Sequence, residues 1–401
     1  MFYRISGLAA FCFLGTSSPV VAQEAGRIDM QGFDLIPSLS TDMLYIDNVT
    51  YASEESAHIT SWVGIISPQI KAVSGFGTNE LEFVYRGERG EYFSSPADNY
   101  TDHFVHVAGN FEMDRRNRFT TKLGFEDGHD QRGRQFSSGF GNQLNQVDTY
   151  KKPGVSATYE FGSVSSPGRV ELRAGYEELD YDNDSQAYLI RDRSYTKVGG
   201  QFFYRLAGRT HLVLDASHQQ IDYDVAADPQ SPLDNQEDRV LAGFTWESTA
   251  ATTGFAKVGY KQKSFDAPGR ESFEGIDWEA GLTWQPRTYS EIELATGADT
   301  RETNGEGDYI RSQDYRISWR HAWLTRFSTT MALAHEQNDY EGAEITTARN
   351  DDVTRAQLAA DYQFRRWLQV GVFYEFSQRD STRELVSFDR NVVGITTKVT
   401  L

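Results

Sequence analysis

The stretch "RRWLQVGVFYEF", residues 365–376, decides how this chain folds. Leu368, Val370, Val372, Tyr374 and Phe376 take one side of a strand, and Gln369, Gly371 and Glu375 the other, because successive strand side chains point to opposite faces. In water the apolar side needs a second layer of protein; in a bilayer it can face lipid. The same alternation recurs from about residue 35 to the end. Val170, Leu172, Ala174 and Tyr176 alternate with Glu171, Arg173, Gly175 and Glu177. Ile276, Trp278, Ala280, Leu282 and Trp284 alternate with Asp277, Glu279, Gly281 and Thr283.

The connections are of two kinds that take turns. Short ones lie at 206–210, 284–289, 323–327 and 364–367; long polar ones lie at 126–150, 179–194, 222–237, 301–314 and 338–353. The pattern predicts about eighteen strands, an even number as in bacterial barrels. They centre near residues 41, 66, 84, 106, 122, 157, 173, 200, 213, 243, 258, 280, 293, 318, 331, 359, 371 and 395. An even count puts both termini and all short turns on one side. The predicted fold is an all-β, transmembrane, antiparallel up-and-down β-barrel with short periplasmic turns and long extracellular loops.

A water-soluble sandwich, solenoid or propeller would also alternate. Three features weigh against it. The strands span roughly ten to fifteen residues, against about five or six in globular proteins. Aromatics collect at the short-turn ends (Tyr204, Trp284, Tyr289, Trp323, Phe327, Tyr362, Phe364, Trp367), as an interfacial girdle would. The opposite face, small and charged, would make a poor protein core.

The start, "MFYRISGLAAFCFLG", is a one-arginine head and an apolar run, followed by Val20 and Ala22 at the −3 and −1 positions of a cleavage site. It reads as a signal peptide over residues 1–22, too short to span a bilayer. Residues 23–34 are then a short periplasmic lead-in, and 35–401 the barrel. The single cysteine, Cys12, leaves with the signal, so no disulfide is expected.

With the apolar stripe assigned to lipid, the other face supplies candidate pore-lining charges of both signs. They are Arg86, Glu171, Arg173, Arg205, Arg239, Lys257, Lys261, Asp277, Glu279, Glu291, Glu293, Arg316, Arg320, Arg355, Asp361, Glu375 and Arg379. They would either stiffen the wall as salt-bridge ladders or set selectivity as rings in a wet lumen, wide enough for a channel unless loops fold into it. Arginine at Val372 or Ala280 should impair assembly far more than arginine at Gly371 or Thr283.

Signals for chemistry are weak. His103 and His106, three apart on a strand, point to opposite faces, as do Asp215 and His218, and no nucleophile elbow or phosphate loop is present. No cofactor or metal is expected, and the chain reads as a non-enzyme. The acidic loop stretches at 180–185 and 348–353 read as solvated surface that could also bridge lipopolysaccharide through divalent cations. Asn48-Val-Thr50 and Asn99-Tyr-Thr101 match a glycosylation acceptor by chance.

"IPSLSTDMLYIDNVTY" after the signal, "ISPQI" in the next strand, and the ending "SFDRNVVGITTKVTL", with its Asp47-Asn48 and Asp389-Arg390-Asn391 patterns, resemble the outer-membrane β-barrel proteins found with exopolysaccharide biosynthesis and export genes, the putative β-barrel porin group. The last strand also resembles the terminal signal read by the barrel insertion machinery, although Leu401 stands where an aromatic is usual. The resemblance implies a bacterial outer-membrane channel that exports an exopolysaccharide beside a periplasmic polysaccharide export protein, with lipopolysaccharide around it. Phe203 and Phe373 are then candidate faces on which sugar rings could slide. A general or small-solute porin, and a loop-plugged structural or receptor barrel, are the alternatives.

Overall fold

A computed structural model describes residues 26–163, 166–182, 186–249, 251–342 and 348–400. The expected signal peptide and Leu401 lie outside the described residues. The chain opens with a short strand, β1 (Ile28–Met30), and the long strands follow. They are β2 (Phe33–Ile46), β3 (Ser61–Phe76), β4 (Asn79–Tyr92), β5 (Tyr100–Glu112), β6 (Asn117–Asp130) and β7 (Asp148–Phe161). Next come β8 (Gly168–Tyr181), β9 (Arg193–Ala207), β10 (Thr210–Tyr223), β11 (Asn235–Thr249), β12 (Thr252–Phe265) and β13 (Phe273–Arg287). The last are β14 (Ser290–Glu302), β15 (Tyr309–Leu324), β16 (Phe327–Glu341), β17 (Arg349–Arg365), β18 (Leu368–Ser381) and β19 (Phe388–Thr400).

From β2 onward each strand pairs antiparallel with the next. β19 pairs with β2 from Val392 opposite Ile46 to Thr400 opposite Ser38, which closes a ring of eighteen. Each expected strand centre falls inside its own strand. β1 adds a small hairpin on the start of β2 through Gln31 and Gly32, whose φ angles are 51° and 99°.

Strands of 13 to 17 residues exceed the roughly nine to eleven that cross a bilayer at a tilt. The surplus lies at the long-loop ends, where water replaces lipid outside and nothing enforces an apolar stripe; Glu126–Asp130 of β6 is polar on both faces. For that reason the loops begin later than the alternation suggested, after Asp130, Tyr181, Tyr223, Glu302 and Glu341.

Among the short turns, Gly208 holds φ at 54°, a left-handed conformation that favours glycine. At the turn 113–116 the exposed Asp114 carboxylate accepts the amides of Arg116 (2.7 Å) and Asn117 (2.9 Å), which hold its pKa below the ordinary value. The outer face is the apolar one. Val240 is 62 % exposed and Ile276 67 %, areas that only hydrocarbon can cover favourably. Tyr204, Trp284, Tyr289, Trp323, Tyr362, Phe364 and Trp367 stand exposed at the short-turn ends, with Phe327 half-buried beside them.

The lumen is partly filled. The loop 131–147 between β6 and β7 folds inward, stabilised by Arg132, which is buried and donates to Asp98, to Ser95 Oγ (2.9 Å) and to the Leu144 carbonyl (2.6 Å). It presses on loop 47–60: a Cβ on Gly133 would lie 1.7 Å from the Thr50 carbonyl oxygen, and one on Gly141 2.4 Å from the Gly133 amide. The loop also meets Val386 between β18 and β19 and Gly305 between β14 and β15. That last contact is eight strands round a ring of eighteen, so the loop crosses most of the mouth. Beneath it, Ile46, Val49, Val63, Tyr92, Tyr100, Val147 and Val392 form an apolar core inside the β19–β5 side of the barrel.

Candidate functional site

What remains open is a cavity of about 1850 Å³ on the β5–β15 side. It runs from the periplasmic turns at Ser163, Ser166, Gly208 and Arg209 to Gln135 and Phe136 of the inward loop. Glycines widen it: Gly124 and Gly154 are directly paired, Gly175 follows on the next strand, and a Cβ on Gly124 would meet nothing within 4 Å.

All the charges selected by alternation lie on the face opposite the exposed apolar stripe, yet they do not form one lining. Glu171, Arg173, Arg239, Lys257, Lys261, Glu279, Glu293 and Arg316 border the cavity. Arg86 is turned onto the Phe104 ring (4.0 Å) and pairs with Glu88 at 2.6 Å. Asp277 is buried under Arg239. Arg205 stands opposite His211 near the periplasmic turn, and Glu291 opposite Arg320. Asp361 accepts from Gln369 (3.0 Å), Glu375 lies 3.8 Å from Arg390, and Arg355 and Arg379 face a second, smaller recess.

The cavity's charged wall is a ladder of alternating sign. Arg173 lies between Glu171 (3.6 Å) and Asp215 (2.6 Å), Lys257 between Asp215 (2.9 Å) and Glu279, and Arg239 between Glu279 (3.0 Å) and Asp277. Higher up, Lys261 joins Glu237 (2.9 Å) to Asp299 (2.6 Å), and the fully buried Lys263 joins Glu237 (3.1 Å) to Glu302. Glu237 and Lys263 share the parity of Arg239 and Lys261, and Asp215 alternates with the exposed Leu214, so all three were legible in principle. Thr300 and Glu302 were not. Pairing of β13 with β14 stops at Glu279 opposite Gly297, and above it both faces of β14 turn to protein: Thr300 donates to Glu237 (2.8 Å), and Arg301 reaches Glu336 (2.7 Å).

The two aromatic platforms need correction. Phe203 is only 6 % exposed, with the Arg169 guanidinium 4.1 Å above its ring. Phe373 packs against the internal apolar core and over Gly394. Phe203 is thus engaged by Arg169 and Phe373 is partly buried against the core, so neither ring stands open in the lumen.

The Asp47-Asn48 and Asp389-Arg390-Asn391 patterns prove to be neighbours. Asp47 accepts the Asn391 amide (2.7 Å) and its side-chain Nδ2 (2.6 Å), while Asn48 Nδ2 donates to the Asp389 carbonyl (3.0 Å). The two ends of the chain are thus clasped where the barrel closes. Asn48 is wholly buried, as a glycosylation acceptor could not be.

With this geometry in view, the family described as "Putative beta-barrel porin 2" matches residues 25–401. The chain belongs to that porin family. Among solved structures, Pseudomonas aeruginosa OpdQ aligns with TM-score 0.50 at 10% identity, over 93% of this porin and 99% of OpdQ. Acinetobacter baumannii OccAB3 aligns with TM-score 0.50 at 13% identity, over 92% and 99% of the two chains. At such identities the likeness establishes the fold alone. No protein of curated function matches the porin's sequence. Family and fold together place it in the bacterial outer membrane.

Proposed function

We propose that this porin is a passive diffusion channel for small hydrophilic solutes. One observation carries the reading: the inward loop 131–147 crosses most of the mouth and leaves a cavity bordered by charged side chains on one side of it. A small solute can pass beside a loop, with the paired wall charges replacing its water at little cost, as in other channels. An extended polysaccharide would have to displace the loop along with its buried Arg132–Asp98 ion pair, and the rings expected to guide it are engaged by Arg169 and by the internal core. The chemistry required is binding and release only.

The test is conductance and size selection. Purified porin in planar bilayers should give steady current, and liposomes carrying it should swell in small sugars at rates that fall steeply with sugar size. Bilayers that stay closed, together with loss of surface polysaccharide on deleting the gene, would return the polymer-export reading.

A further inference from the structure

The wall between β13 and β14 is not sealed along its length. Pairing runs from the periplasmic turn up to Glu279 opposite Gly297 and stops there. Above that rung, residues 273–278 of β13 pair with β12 alone among the described residues, and residues 298–302 of β14 pair with β15 alone. The strands part in depth as well. Thr300 and Glu302 would face outward by alternation, yet Thr300 donates to Glu237 (2.8 Å) and Glu302 pairs with Lys263, both on the inner faces of β11 and β12. β14 therefore passes to the lumen side of β13. The gap is bounded above, where Phe273 meets Tyr309 edge-on at 6.0 Å and Arg270 pairs with Asp308 at 2.5 Å. It is a slot with two closed ends.

The slot lies at membrane depth. Trp284 stands at the periplasmic interface, and a strand tilted at about 45° climbs roughly 2.4 Å per residue. Ile276, 67 % exposed, is then roughly 19 Å above Trp284, inside an apolar band about 25 Å tall. An unpaired strand edge in hydrocarbon is costly, and such backbone is tolerated only where it is buried in protein or borders a cavity. Here it borders the cavity: residues 278–283 and 293–303 line it without a break, so positions of both faces are included. The outward ones are Trp278, Ala280, Leu282, Leu294, Thr296 and Ala298. Trp278, Leu282 and Leu294 stand around the small residues, with Ala280 directly opposite Thr296. An apolar groove on the lipid side thus runs into the cavity at the slot.

Polarity changes along that track. Its outer half is apolar, whereas Glu279 with Arg239 (3.0 Å) and Asp299 with Lys261 (2.6 Å) stand at its inner end. A single aliphatic chain matches the first half. A head carrying both signs of charge matches the second, since a net charge would unbalance acids and bases that already pair. We infer that the β13–β14 slot is a lateral portal through which a single-chain zwitterionic amphiphile moves between the outer half of the bilayer and the lumen. This route is separate from the aqueous path along the barrel axis and goes beyond the diffusion reading.

The portal is tested on the porin held in amphipol, with lysophosphatidylcholine as the probe and bound molecules counted by native mass spectrometry. One molecule per porin should be retained. Neither glycerophosphocholine, which lacks the chain, nor dipalmitoyl phosphatidylcholine, which has two, should replace it. Ala280→Phe fills the groove with an apolar group on the lipid face and should weaken retention at least tenfold. Ala256→Phe, at the residue paired with Ala280 on β12 and outside the groove, should leave it unchanged. In planar bilayers the lysolipid should reversibly lower the single-channel current of the parent and of Ala256→Phe, but not that of Ala280→Phe. Equal retention by the two variants overturns the slot as the site. Retention with no effect on current overturns passage into the lumen. Equal binding of the two-chain lipid overturns the single-chain assignment, and tighter binding of dodecanoate overturns the zwitterionic head.

Discussion

Two sides of one lumen bury charge in opposite ways. Along β8–β14, cation and carboxylate alternate, and Lys263, Lys257 and Arg239 each lie between two acids. Further round, between the inward loop and β14–β18, four arginines line a recess with one acid, Glu336. The first arrangement balances its charges within the wall. The second gathers more cations than acids around one recess, with Glu336 shared between Arg301 and Arg355. The comparison teaches that a lumen charge should be sorted by its partners before it is given a role.

That distinction is most directly broken by neutralising one cation on each side. Lys263→Met removes the cation from Glu302 and leaves Glu237 with Lys261 alone, in a site where the ammonium is fully buried. Removing one partner of a buried network costs about 3–5 kcal/mol, so the variant should unfold well below the parent on heating in detergent. Adding Glu302→Gln should recover part of the loss. Arg134→Gln should leave the unfolding temperature where it was and instead move the reversal potential in a salt gradient toward cation preference. If both variants lose the same stability and neither changes selectivity, the two sides do not differ in kind.

Both sides also presuppose one assignment of inside and outside, and neighbouring residues on β6 sharpen it. Leu123 is 51 % exposed on the outer stripe, whereas Gly124 borders the cavity with open space where its Cβ would be. Leu123→Arg puts a charge into lipid at about 2–4 kcal/mol near the midplane and should reduce the folded fraction recovered from membranes. Gly124→Arg should assemble as the parent does, with lower conductance because the side chain occupies the lumen. Equal assembly of the two would invert the assignment.

The barrel was legible because hydrocarbon enforces period two on every residue it touches, so Val372, Ile276 and Leu172 announce their strands. Legibility ends where lipid ends. Nothing in the spacing of "QRGRQFSSGFGNQ" indicates that this loop turns inward; that follows from a buried ion pair with Asp98 and from glycines at crossings that only the folded chain creates. Thr300 and Glu302 escaped because β13 and β14 separate above Gly297, a fact of register rather than pattern. Alternation also treats every lumen position as tolerant. Gly371 is not one of them, since a Cβ there would lie 2.6 Å from the Asp361 carboxylate, so Thr283 is the better site for a lumen-facing arginine.

The smallest expected effect concerns the clasp at the closing seam, and it links the two sides of the lumen. Asp47 holds Asn391 through two hydrogen bonds, and Asn48 holds Asp389, directly beneath the segment where Tyr51 receives the Arg390 guanidinium at 4.8 Å and hydrogen-bonds Gln131 at 2.6 Å. The clasp therefore supports loop 47–60, which in turn supports the inward loop. Hydrogen bonds to a charged group contribute about 1.5–3 kcal/mol, so Asp47→Ala should lower stability by an amount in that range while the β19–β2 ladder keeps the ring closed. Hydrogen exchange should show the effect as faster exchange at Asn391 and along loop 47–60, with the amides from Ile395 to Thr400 still protected. Uniform acceleration along all of β19 would mean that the clasp, and not the ladder, closes the barrel.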